Sequence, residues 1–165
     1  MEAKKGSLIE VGMAEVRVGS FPDVLVTRGL GSCIGIAIYE PRKKIGALAH
    51  AMLPSIANAK AKFNPAKYVD SAVSIMIDEL KKRGVQPHQL VAKLFGGAHM
   101  FSSIPLDSPF NVGGKNIDKA REILASYGIK VVGEDTGGNY GRTIFFDLDT
   151  GKVRIKTVFQ GEKEV

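Results

Sequence analysis

Apolar and polar positions alternate with the two-residue period of a strand over residues 8–18, 23–28, 33–40 and 45–53. Pro41-Arg42-Lys43-Lys44 separates the last two runs and predicts a turn that folds them into a hairpin. The period then changes. Tyr68, Val69, Ala72, Val73, Met76 and Leu80 recur at helical spacing, Asn64 and Pro65 suit a helix start and Gly84 a stop, so a helix is predicted over 66–83. A short strand near 90–95 runs into the glycine turn GGAHMF, and a second helix is predicted over 115–127, ended by Gly128. Residues 129–133 read as a strand, EDTGGNYG as a long glycine-rich loop, and RTIFFDL and KVRIKTV as a hairpin turning at Asp149-Thr150-Gly151.

Strands outnumber helices and cluster at both ends, which predicts an α+β layered sandwich with a mixed or antiparallel sheet and not a doubly wound parallel one. No repeat, low-complexity tract or linker divides the 165 residues, so a single domain over 1–165 is expected.

Composition narrows the class. With 44% hydrophobic and 24% charged residues the chain reads as globular, neither disordered nor membrane-embedded. No apolar run approaches the roughly 18 residues of a spanning helix, and the opening MEAKKGSLIEVGMAEV lacks a signal-peptide core. A cytoplasmic location without direct membrane insertion is therefore expected. The net charge of +6 favours acidic partners. Basic residues stand in short runs such as Arg42-Lys43-Lys44 and Lys81-Lys82-Arg83 without interleaved aromatics, so nucleic acid is not the expected partner. A single cysteine excludes an internal disulfide, and without a His/Cys ligand spacing neither a metal nor another cofactor is expected.

That cysteine sits in GLGSCIGIAIYEPRKKIGALAH, which ends on one of the three histidines. If Arg42 and Lys43 are the central residues of the turn, position 40 lies opposite 45, 35 opposite 50 and 33 opposite 52. Cys33 and His50 then become diagonal neighbours on one face, with Cα atoms about 7–8 Å apart. A one-residue slip would put them on opposite faces. A thiol needs activation, and a nearby imidazole can take its proton or, once charged, lower its pKa. Thr27 in VLVTRG, or a backbone carbonyl, can orient the ring. The glycines of GLGSC let the N–H groups of Ser32 or Cys33 approach a substrate oxyanion, with Gly31 and Ser32 as backbone support. The same residues also fit a buried structural thiol and a satisfied core histidine, so spacing permits a site without establishing one.

Four blocks in order, VTRGLGSCIGIAIYEP, GALAHAMLP, KLFGGAHMF and EDTGGNYGR, resemble the CheD family of chemoreceptor glutamine deamidases over nearly the whole chain. The resemblance implies a cysteine hydrolase that converts selected receptor glutamines to glutamates through a thioester, with catalytic Cys, His and Thr arranged like a papain-type site. On this chain those residues are Cys33, His50 and Thr27. The implied substrate is the cytoplasmic helices of chemoreceptors, the methyl-accepting chemotaxis proteins, and the implied second partner is a CheC-type phosphatase. The alternative is a non-catalytic regulatory module that binds that phosphatase or the receptor. His99 is expected on the surface or at the rim, His88 in solvent, and Arg142, which follows the DTGGN block, in a rim or structural role.

Overall fold

The structure, a computed structural model, describes residues 6–59, 64–159 and 161–165. Five strands come first: β1 (Leu8–Glu10), β2 (Val16–Ser20), β3 (Val24–Leu30), β4 (Ile34–Glu40) and β5 (Ile45–Ala51). Then follow α1 (Val69–Lys82), β6 (Val91–Gly96) and α2 (Val112–Ser126), and last β7 (Lys130–Thr136), β8 (Arg142–Asp147), β9 (Val153–Thr157) and β10 (Gly161–Glu164). The α+β layered class holds, with the strands divided between two five-stranded sheets ordered β1-β3-β8-β9-β10 and β2-β5-β4-β6-β7. Each sheet is mixed, because β1 runs parallel to β3 and β6 parallel to β7.

The hydrophobic pattern of β4 shows why the layers stack as they do. Ile34, Ile36 and Ile38 pack with Ala47, Ala49 and Ala51 of β5 against Val73, Met76 and Leu80 of α1. Ala37 and Tyr39 alternate with those isoleucines, so they point the other way and pack with Leu48 against Leu25, Ile144 and Phe146 of the facing sheet. The central sheet is thus covered on both sides, and each of its fully buried isoleucines contributes about 1.5–3 kcal/mol. The resulting order is sheet, sheet, helices.

Several boundaries differ from the sequence expectation, each for a local reason. The run 8–18 is two strands in different sheets, separated by a turn in which Gly12 N–H donates to Glu15 Oε2 at 3.1 Å and Ala14 adopts φ 58°. Asn64 Oδ1 accepts from Ala66 N–H at 3.2 Å, but the element it caps is a 3-10 turn, Pro65–Lys67. Tyr68 is extended (φ −108°, ψ 139°) and bridges to Leu53, so α1 begins only at Val69. The strand β7 continues through Thr136, paired with Gly96, which confines the glycine loop to 137–141. The polar segment GEKE adds β10, which the alternation did not reveal.

The second helix starts at Val112 instead of 115, capped by Asn111 Oδ1, which accepts from Gly114 N–H at 3.1 Å. Gly113 and Gly114 look like helix breakers in sequence, yet the helix needs one of them. A Cβ on Gly113 would lie 2.2 Å from Ala98 O and 2.7 Å from Gly97 O. Gly113→Ala is therefore expected to cost about 3 kcal/mol, the upper end for overpacking, read as a lowered denaturant midpoint. An unchanged midpoint would contradict this close approach.

Candidate functional site

The β4–β5 hairpin has the register its turn predicts, with Glu40 opposite Ile45 and Gly35 opposite His50. His50 therefore shares a face with Leu48 and points toward the other sheet, where it is 1% exposed. Thr27, fully buried on β3, meets it there: Thr27 Oγ1 lies 2.7 Å from His50 Nδ1 and 2.6 Å from Val11 O. A carbonyl can only accept, so the single hydroxyl proton of Thr27 goes to Val11 O, and its oxygen accepts Nδ1–H from the ring. The neutral imidazole thus carries its proton on Nδ1 and its lone pair on Nε2. That Nε2 is buried without a hydrogen-bond partner among the described residues.

Thr27→Val keeps the shape and removes the acceptor. It is expected to cost about 1–3 kcal/mol, because Nδ1–H becomes a buried orphan, and nitrogen NMR should show loss of the Nδ1–H tautomer. A spectrum unchanged by the substitution would rule out Thr27 as the orienting group.

Cys33 lies just before β4, half-buried and packed against the apolar cluster between the sheets. The structure brings Thr27 and His50 together and places Cys33 on the same side of the hairpin. It does not join the thiol to the ring, since no hydrogen bond spans them. Burial pushes the Cys33 thiol up from its ordinary pKa, opposed by its own backbone N–H, and burial pushes His50 down. Thiol and imidazole are both neutral near pH 7. Of the two activation routes open from sequence, this state suits proton transfer to Nε2 and not a standing thiolate–imidazolium pair.

The loop leading to Cys33 is fixed through its carbonyls. A bulge follows Thr27, where Gly29 takes φ 71°, and Gly31 N–H donates to Gly29 O at 3.1 Å. Gly31 O accepts from Ala98 N–H at 2.8 Å, Ser32 O from Asn116 Nδ2 at 2.9 Å, and Cys33 O from Gly97 N–H at 2.8 Å. The approach from Gly96, at φ 94°, is so close that a Cβ there would lie 2.5 Å from Cys33 O. Gly31 therefore supports the loop through its carbonyl, its own N–H being committed, while the N–H groups of Ser32 and Cys33 make no backbone hydrogen bond among the described residues. Asn116 was not singled out from sequence. The signal was there: a polar residue lies on the buried face of α2 formed by Gly113, Ile117, Ala120 and Leu124.

Two cavities flank this loop. One of about 780 Å³ opens beside Gly29 and is lined by Arg28, Met100, Arg142, Phe145, Lys156 and Phe159 among others, with no carboxylate in its wall. A smaller one of about 80 Å³ lies across Met100 and includes Ser32 and His99. His99 is thus a rim residue, its Nδ1 3.4 Å from Asn111 Oδ1, and His88 is exposed. Arg142 is 2% exposed, with Nε donating to Asp135 Oδ2 at 3.1 Å and the guanidinium 4.4 Å from the Tyr140 ring centre, a buried structural position.

Fold and site define a class first: a layered sandwich whose two sheets enclose a tautomer-fixed histidine, with a half-buried lone thiol on the same side of the hairpin. The family model described as CheD chemotactic sensory transduction matches residues 52–157, a span that begins after His50. The chain is 44% identical over 159 residues to the "Probable chemoreceptor glutamine deamidase CheD" of Desulforamulus reducens, covering 96% of each chain. It is 42% identical over 165 residues to the protein of that name from Caldanaerobacter subterraneus subsp. tengcongensis, covering 100% of each. The chain belongs to the CheD family. Among solved structures it overlaps the Bacillus licheniformis hypothetical protein YfiH with a TM-score of 0.48 at 13% identity, over 74% of this chain and 51% of that one. Among the described residues no helix is long and apolar enough to cross a membrane.

Proposed function

We propose that this protein deamidates glutamine side chains on the cytoplasmic helices of chemoreceptors, giving glutamate and ammonia, with Cys33 as nucleophile. The observation that carries the reading is the Val11–Thr27–His50 relay, which leaves a lone pair on buried Nε2 on the thiol's side of the hairpin. The names of the full-length relatives supply the substrate class.

In the first half-reaction, Nε2 takes the Cys33 proton as sulfur bonds to the glutamine carbonyl carbon, whose oxygen becomes an oxyanion facing the N–H groups of Ser32 and Cys33. The oxyanion collapses, the carbon–nitrogen bond breaks, and the imidazolium proton leaves with ammonia. A thioester remains. Nε2 then takes a proton from water, the hydroxide adds to the thioester, and the carbon–sulfur bond breaks as the proton returns to sulfur. The Nδ1–H···Oγ1 bond to Thr27 holds the ring through both halves.

The cavity beside Gly29 supports an acidic substrate, because exposed Lys156 and Arg28, the latter shared with Glu10 at 3.0 Å, line it without a carboxylate in its wall. Incubation with a receptor cytoplasmic fragment should release ammonia and shift the mass of target peptides by the amide-to-acid difference, and KM should rise several-fold with added salt while kcat holds. No ammonia from any receptor fragment would end the proposal. A CheC-type phosphatase as second partner belongs to the same reading, and retention of one on the immobilised other tests it.

A further inference from the structure

The Ser32 carbonyl and the Cys33 N–H belong to one peptide unit. That unit is trans, so the two groups point in opposite directions. Asn116 Nδ2 donates to Ser32 O at 2.9 Å and to Met52 O at 3.0 Å. Both acceptors are carbonyls, so the orientation of the amide is determined, with both Nδ2 hydrogens engaged. Asn116 is 0% exposed, and its Oδ1 is buried without a partner among the described residues, an arrangement that costs about 1–3 kcal/mol relative to a satisfied group. Packing alone gives no reason to keep such a residue on the apolar face of α2, between Gly113 and Ile117.

The consequence lies on the far side of the peptide. With its carbonyl drawn toward α2, the 32–33 peptide turns the Cys33 N–H away from the helices, toward the Cys33 sulfur, on whose ionisation that N–H acts. Ala98 N–H does the same for the preceding unit: by holding Gly31 O at 2.8 Å it orients the Ser32 N–H. One of the two orienting donors is rigid backbone, and the other is a single side chain.

We infer that Asn116 is a positioning residue that aims the Cys33 N–H at the oxyanion of the deamidation, an inference that rests on the function proposed above. Without it the 32–33 peptide is free to turn, and a turned peptide presents a carbonyl to the developing negative charge. Loss of one such donor costs about 10²–10³ in turnover.

The test compares Asn116→Ala and Asn116→Ser with the native chain on two reactions, with rates referred to the fraction folded by circular dichroism so that a partly folded variant still reports. Deamidation of a receptor cytoplasmic fragment passes through an oxyanion. Alkylation of Cys33 by iodoacetamide does not. In Asn116→Ala, kcat should fall about 10²–10³-fold with KM little changed; the alkylation pH profile should move to the alkaline side as the Cys33 N–H turns away from the sulfur, while its plateau rate stays within about two-fold of native. Asn116→Ser, which restores one donor, should recover part of kcat. Retained kcat in both variants overturns the inference, and so does a fall in the plateau alkylation rate that parallels the loss of kcat. A native chain that releases no ammonia overturns the proposed function and this role together, whereas an active native chain with unaffected variants overturns this role alone.

Discussion

Cys33→Ala should reduce ammonia release from receptor fragments to the uncatalysed background, a loss of roughly 10⁴-fold or more. In the proposed mechanism this substitution leaves the oxyanion donors and substrate contacts in place but closes the thioester route. The fold should hardly notice, because Cys33 is half-buried, makes no hydrogen bond to His50 and has a small side chain. Its thermal midpoint should therefore move by no more than the equivalent of about 1 kcal/mol. Hydroxylamine added to the native enzyme should trap the acyl group, and the same addition to the variant should trap nothing. Full activity in Cys33→Ala would remove the thiol from the chemistry.

His50→Ala should also have a large effect, roughly 10³-fold or more on kcat, since under the proposed mechanism the variant has no group to take the thiol proton or to deliver one to the leaving amine. It also changes the pH behaviour. Burial lowers the His50 pKa below its ordinary value, so the unfolded chain protonates first as pH falls. The stabilisation from the neutral ring is fully present above about pH 6.5 and is lost as pH drops below that value toward the folded-state pKa. The variant should lack this portion of the acid dependence in a denaturant titration. In the native enzyme, kcat/KM should show a broad plateau: its acid limb lies below the ordinary imidazole range, and its alkaline limb above the ordinary thiol range, because burial also raises Cys33. An acid limb at the ordinary imidazole value would contradict a buried neutral base.

Much of this site was legible because a hairpin turn fixes register by counting. Once the turn is placed between Glu40 and Ile45, the pairing of Gly35 with His50 follows, and with it the shared face of Cys33 and His50. Thr27 was legible as the hydroxyl in the preceding strand. Its second bond, to Val11 O, was not, yet that bond decides the tautomer. Period-two alternation reports that a strand has two faces and is silent on which sheet it joins, so residues 8–18 read as one strand although the chain crosses between layers there. Gly113 and Gly114 obscured the start of α2 because a glycine needed for close approach looks in sequence like a breaker. The direction of the thiol shift was hidden for a related reason: a charged imidazole lowers a thiol pKa, burial raises it, and only the position of the sheets reveals that burial dominates.

Thr27 and His50 come from different sheets, so the ring keeps its partner only while the two layers stay in register. Strand pairing and catalysis therefore report on different levels of order. As urea rises, turnover should vanish before far-ultraviolet ellipticity fades, because a slight sliding of one layer over the other unfastens the imidazole while every ladder remains intact. The protein carries in its own chemistry a gauge of how well its interior fits together.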